Sequence, residues 1–163
     1  MARRRLVMVS FVLTLALSAA ACGDAAVGSS TTTTSTERNL VLDTGVTQPP
    51  CSDAVNGSNG CIYLGVISDL TEGPFAAEGV PLTRGQEDFW GAVNAAGGVG
   101  GWDVIVSSET MYDSDFDAAR TVEGYGAIRD RVLALAQIAG TPQTLAALTA
   151  LVVDDAVAIP VTS

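Results

Sequence analysis

From residue 61 onward, short continuous apolar runs alternate with longer stretches in which apolar residues recur at helical spacing. Residues 62–67 (IYLGVI) form one such run, the signature of a buried parallel strand. Residues 68–81 carry Gly73, Pro74, Gly79 and Pro81 and read as a loop. Residues 83 to about 96 read as a helix, with Phe89, Val93 and Ala96 at helical spacing. Phe89 and its neighbour Trp90 are assigned to the core, and Gly97-Gly98 closes the helix as a C-terminal cap. Residues 102–107 (WDVIVS) give a second strand. Asp113, Ser114 and Asp115 are placed to cap a second helix, whose face is Phe116, Ala119, Val122 and Gly126. Residues 132–138 (VLALAQI) are the third strand. Thr141-Pro142 opens a third helix with Leu145, Leu148 and Val152 on one face, and residues 156–161 form a fourth strand. Four strands alternating with three helices predict βαβ units, hence an α/β fold with a doubly wound parallel sheet.

The residues before 61 follow another logic. Arg3, Arg4 and Arg5 form a basic start, residues 6–17 an apolar run broken by Ser10 and Thr14, and residues 18–21 a small-residue stretch before Cys22. The run is short for a membrane span and has the length of a signal-peptide core. One reading is a plain signal cut after Ala21. The favoured one is a lipoprotein signal that leaves Cys22 as the lipidated first residue. Ala19 stands where such signals usually carry Leu, but Gly23-Asp24 and a polar stretch follow at once. Residues 28–36 (GSSTTTTST) cannot build a core and suit a flexible stalk. The predicted organisation is a signal peptide at 1–21, a tether with a disulfide loop at 22–60, and a folded segment at 61–163.

The charge balance removes several classes of function. The 163 residues hold 8 Arg and no Lys against 18 acidic residues, a net charge of −10. Without the first 21 residues the balance falls to −13. A nucleic-acid partner needs a basic face, which is not available. Without histidine, neither a His-ligated metal site nor a Ser-His-Asp triad can be assembled. With Cys22 assigned to the lipid, Cys51 and Cys61 remain, separated by nine mostly small polar residues. In an exported protein that spacing suits a disulfide; the alternative is two free thiols.

Three motifs fail on inspection. Asp113, Asp115 and Asp117 alternate like the start of a calcium loop, but Ala118 and Gly124 stand where an EF-hand needs Gly and Glu. Residues 97–101 (GGVGG) close a helix and lead into a strand, the reverse of a dinucleotide fingerprint. Gly140-Thr141-Pro142 follows a strand and opens a helix but lacks the Lys and hydroxyl of a P-loop; its free N–H groups suit a carboxylate. No metal and no cofactor is expected.

Three stretches carry a family resemblance. The first is residues 62–66 followed by Thr71-Glu72-Gly73-Pro74. The second runs from Gly85 through Ala92-Val93-Asn94-Ala95-Ala96-Gly97-Gly98-Val99-Gly100-Gly101, and the third from Gly140 to Ala158-Ile159-Pro160-Val161-Thr162-Ser163. Together they resemble the first half of the N-terminal lobe of type I periplasmic binding proteins, in the branch of leucine/isoleucine/valine-binding subunits of branched-chain amino-acid ABC transporters. The middle stretch, close to the family's "IN-x-x-GG-[IV]-x-G", is the most specific.

The resemblance implies a partial lobe of a two-lobed clamshell that grips a solute, not an enzyme. Its ligand would be an amino acid or similar small polar solute, its partners ABC permease subunits, and its place the outer face of the cell membrane or the periplasm. The ligand residues implied are Thr141, Pro142, Gln143 and Thr144 at the helix start, with Phe75 from the first loop. Thr144 falls where the family places a carboxylate-binding hydroxyl; the alternative is that Thr141 and Thr144 are merely first-turn helix residues. A second binding loop would follow Thr162-Ser163, so the last strand is expected to be an unprotected edge. Alternative functions are a ligand-sensing domain of the same fold or a truncated, non-functional product.

Overall fold

The computed structural model describes residues 44–161. The expected signal, the polar stretch at 28–36, Cys22 and Thr162-Ser163 lie outside them. The elements are β1 (Val46–Thr47), β2 (Gly60–Ser68), α1 (Ala76–Ala95), β3 (Trp102–Ile105), β4 (Met111–Asp113), α2 (Ala118–Ile128), β5 (Ala134–Ala139), α3 (Thr141–Val153) and β6 (Val157–Val161). A 3-10 turn at Ser108–Thr110 separates β3 from β4, so the second predicted strand is two short ones.

β2 is the spine of one six-stranded sheet. β3 and β4 pair with it in parallel along one edge, and β5 in parallel along the other, followed by β6. β1 adds an antiparallel start beside β5. Strand order thus departs in both directions from β2, the doubly wound arrangement. Right-handed crossovers place α1 on one face and α2 with α3 on the other. Among the described residues β6 is the outer strand on the β5 side of the sheet.

The two faces are built differently. Beneath α2 and α3, Ile67, Tyr125, Ile128, Val132, Leu135, Ile138, Ala147 and Leu151 form one apolar core. Beneath α1 the buried helix positions are Gly79, Thr83 and Asn94. Fully buried Gln137 of β5 donates to Ser68 Oγ at 2.8 Å and to Thr83 Oγ at 3.3 Å, and accepts from Gln86 at 2.8 Å.

In all three helices the inward face differs from the predicted one. α1 starts seven residues earlier than its pattern predicts, because the buried Asp69 carboxylate accepts the N–H groups of Gly73 (3.0 Å) and Phe75 (2.9 Å) and turns the chain into the helix. Pro81 sits inside that helix at an exposed position. Phe89 is exposed, with its ring edge-on to Trp90, because the sheet side of α1 is taken by polar partners. On α2 the buried stripe is Thr121, Gly124, Tyr125 and Ile128, where Gly124 leaves room for the Tyr112 ring; Ala119, Val122 and Gly126 point outward. Asp117, not Asp113–Asp115, caps α2 by accepting from Arg120 N at 2.9 Å. On α3 the buried residues are Gln143, Ala147 and Leu151, while Leu145, Leu148 and Val152 are exposed.

The diglycine turn behaves as predicted. Gly97 N donates to Asn94 O at 2.9 Å and Gly98 N to Val93 O at 3.0 Å, which closes α1 with both glycines at positive φ. A Cβ on Gly98 would collide with Trp102 and with Asp103. Asn94 then reaches β3 with both ends of its amide: Nδ2 donates to Val104 O at 2.8 Å and Oδ1 accepts from Val104 N at 2.9 Å. Next to it, buried Asp103 accepts from Asn56 N (3.0 Å), Asn56 Nδ2 (2.9 Å) and Asn59 Nδ2 (2.7 Å). Burial alone raises its pKa, but these hydrogen bonds outweigh it and hold the carboxyl below its ordinary 3.8. The Cys51–Cys61 disulfide fastens the same 51–61 loop to the start of β2.

Candidate functional site

Three loops meet at the carboxyl ends of the parallel strands: residues 69–75 after β2, 114–117 after β4, and Gly140 after β5. This edge is where open α/β sheets bind ligands. Gly140 has φ 93° and turns the chain from β5 into α3. The first-turn N–H groups of Thr141 and Gln143 have no helical carbonyl to pair with, and Pro142 has no N–H at all. Thr144 N and Thr144 Oγ both donate to Gly140 O, at 2.9 and 2.8 Å. The Thr144 hydroxyl is therefore committed as a donor within its own helix and keeps only its acceptor lone pairs for anything else.

Gln143 is the most informative of the predicted residues. It is 4% exposed, its Nε2 donates to Phe116 O, and its Oε1 has no hydrogen-bond partner. That oxygen lies against Gly140, in the space a Cβ there would need, and the Phe116 ring edge borders the same space at 2.7 Å. Phe75, 5% exposed, stacks on Phe116 with ring centroids 5.0 Å apart and 20° between planes. Phe75 and Gln143 are thus brought together by way of Phe116, while Thr141 and Pro142 sit exposed at the helix start.

Phe116 was predicted as part of a helix face, and its place in the site carries no sequence signal. Its backbone explains why. Asp115 and Phe116 both have positive φ, 47° and 56°, an arrangement that costs non-glycine residues about 1–3 kcal/mol each. The loop holds this shape through the Arg120–Asp115 ion pair, Arg120 Nη2 to Asp113 O at 2.9 Å, and Ser114 N to Ser68 O at 2.8 Å.

Asp69, Asp113 and Asp115 bring carboxylate oxygens within 4.8 Å of one another. Each is already engaged: Asp69 by the Gly73 and Phe75 N–H groups, Asp113 by Leu70 N at 3.1 Å and Thr71 Oγ at 2.6 Å, and Asp115 by Arg120. The cluster's observed work is to tie the loops together. The Cys51–Cys61 bridge is attached at the far end of β2, away from this site. A groove of about 720 Å³ lies at that opposite edge too, lined by Tyr125, Arg129 and Asp154. It faces the carboxyl ends of α2 and α3, whose dipoles disfavour an anion. Its polar groups pair internally: Tyr125 Oη donates to Asp154 at 3.0 Å and Arg129 to the same oxygen at 2.9 Å. Burial and the Asp154 carboxylate push the Tyr125 hydroxyl up to about 12.

No protein-family model and no curated protein matches the sequence. Solved structures do. A fatty acid ABC transporter substrate-binding protein from Thermomonospora curvata is 28% identical over 70% of this chain, with a TM-score of 0.58. The chain is similar to ABC transporter substrate-binding proteins. A second such protein, from Sphaerobacter thermophilus, aligns over 61% of the chain at 24% identity and a TM-score of 0.48. The chain spans 27% and 26% of the lengths of those two proteins. The likeness to the Thermomonospora curvata protein supports the type I periplasmic binding fold and does not extend to the branched-chain amino-acid branch that the sequence motifs resemble.

Proposed function

We propose that this chain contributes one wall of the solute site of an extracytoplasmic ABC-transporter binding protein, and that its ligand presents a carboxylate to the start of α3. The observation that carries this reading is the buried, unpartnered Gln143 Oε1 beside the free N–H groups of Thr141 and Gln143. A helix N-terminus favours an anion, and an unpaired buried oxygen favours a donor next to it. An amino acid offers both. The stacked Phe75–Phe116 pair supplies an apolar border for the rest of the molecule. The Thermomonospora curvata protein is named for a fatty acid, and a carboxylate head is common to both ligand classes. The role is binding, with permease subunits as partners, and Cys22 would carry the lipid that keeps the protein at the membrane.

Groups from one side of a small solute leave much of it wet, so affinity should be no better than about millimolar. Titration with leucine and with hexanoate, followed by amide NMR, should shift Thr141, Gln143 and Thr144, and the corresponding alcohols should not. Leucine should bind more tightly than hexanoate if Gln143 Oε1 takes the ammonium. Unchanged Thr141, Gln143 and Thr144 resonances up to about 50 mM of either carboxylate would overturn the site. For the anchor, Cys22→Ser should release the protein into the soluble fraction; wild-type protein found soluble after cleavage behind Ala21 would rule the lipid out.

A further inference from the structure

The chain has four asparagines, and two of them, Asn56 and Asn59, precede glycine in the loop closed by the disulfide. An asparagine side chain is open to attack by the backbone nitrogen of the next residue, and glycine, without a Cβ, obstructs that attack least. The two Asn-Gly steps differ in setting. Gly57 is exposed, its N–H makes no hydrogen bond among the described residues, and a Cβ there would meet nothing within 4 Å. Gly60 is buried at the start of β2, its N–H donates to Gly101 O at 3.0 Å, and the Trp102 ring lies where a Cβ would stand. Asn59 is itself buried, whereas Asn56 is half-buried.

We propose that Asn56 is a site of spontaneous deamidation in the folded chain, that Asn59 is shielded from it, and that the change removes the tie of the 51–61 loop to the last turn of α1. Gly57 N attacks Asn56 Cγ. The new N–C bond closes a succinimide ring as the Cγ–Nδ2 bond breaks, and ammonia leaves with the Gly57 proton. Water then opens the ring at either carbonyl and leaves an aspartyl or isoaspartyl linkage at position 56. In the folded chain the Asn56 amide must first leave Asn94 O (2.7 Å) and Asp103 Oδ1 (2.9 Å). At Asn59 the same rotation breaks contacts with Gly97 O and Asp103, and the bond from Gly60 N to Gly101 O must open as well. That additional buried bond slows the second position by about tenfold. The consequence follows from what Asn56 touches. Its Nδ2 is the donor between two acceptors, one of them the fully buried Asp103 carboxylate. A carboxylate in its place sets three acceptors together with no proton between them, two of them charged, so the side chain is expelled. The disulfide still holds Cys51 to Cys61, so the loop stays on β2 while its contact with Asn94 is lost.

The test is peptide mapping by mass spectrometry of the full chain held at mildly alkaline pH, beside a free peptide of residues 52–60 as the unfolded reference. In the folded chain, deamidation at position 56 should lead that at position 59 by about tenfold, whereas the peptide should convert both at similar rates. Gly57→Ala adds its Cβ in open space and should slow position 56 by about tenfold with unchanged circular dichroism. Asn56→Asp should lower the urea midpoint more than Asn56→Ala, because only the former adds a charge facing Asp103. Equal conversion at the two positions of the folded chain overturns the assignment, and so does an Asn56 that stays intact while the peptide is fully converted. An Asn56→Asp midpoint no lower than that of Asn56→Ala overturns the consequence drawn for the loop.

Discussion

The two faces of the sheet solve the same packing problem with opposite chemistry. Under α2 and α3 the contacts are Ile, Leu, Val, one Ala and one Tyr. Under α1, beside the buried Val66, Ser68, Thr83, Gln86 and Gln137 are joined by hydrogen bonds, and Asn94 pairs with the Val104 backbone. An apolar interface tolerates small shifts, because dispersion and hydration do not depend on direction. A hydrogen-bonded one admits a single alignment, because its groups are satisfied in one register only. The directional face also lies under the helix that leaves the Asp69–Phe75 loop, so the loop bordering the candidate site inherits that alignment.

The contrast can be broken most severely from the apolar side. Ile138→Ala removes a fully buried side chain from the α2/α3 core and should cost about 3–4 kcal/mol in urea unfolding. A loss below about 1 kcal/mol would mean that this core is loosely packed. On the polar side, Gln137→Leu strands the Ser68 and Gln86 partners and should cost about 2–3 kcal/mol. Combining it with Ser68→Ala and Gln86→Leu should recover most of that loss, since neither stranded partner then remains. If the triple variant is as unstable as the single one, directional pairing is not what holds α1.

A subtler contrast is in pH. Tyr125 has a raised pKa when folded, so its contribution is intact below about 10 and should be lost between 10 and about 12, roughly 2 kcal/mol on the α2/α3 side. Asp103 has a lowered one, so its contribution is intact above 3.8 and lost as the pH falls through the folded value. Acid should therefore loosen the α1–β3 side first and alkali the α2–α3 side. Trp90 and Trp102 both belong to the former, so their fluorescence should change at an acid pH where circular dichroism is still native. Simultaneous loss of both signals at each extreme would show one cooperative unit instead.

The same contrast explains what was legible in the sequence. Strands with continuous apolar runs, such as residues 62–67 and 156–161, were located within a few residues, and so was the diglycine helix end. Helix faces were not. α1 buries Gly79, Thr83 and Asn94, which no hydrophobic pattern marks as inward. α3 is apolar or small on every side, so periodicity selects nothing, and Leu145, Leu148 and Val152 drew the assignment to the exposed side. At the candidate site the helix start and Phe75 were legible from Gly140-Thr141-Pro142 and the family-like loop. Phe116 was not, because its position follows from two left-handed residues fixed by contacts with Arg120 and Ser68.

The paired contacts between Asn94 and Val104 have a consequence for the protein before it is fully assembled. A side-chain amide has the same donor and acceptor as a peptide group, so Asn94 stands in for the neighbouring strand that the outer margin of β3 would otherwise recruit. The β3 margin is sealed by a residue of its own preceding helix, with a sequence separation of only ten, and so closes early. Asn94 thus takes up the donor and acceptor of Val104 that an incoming strand would need at this margin.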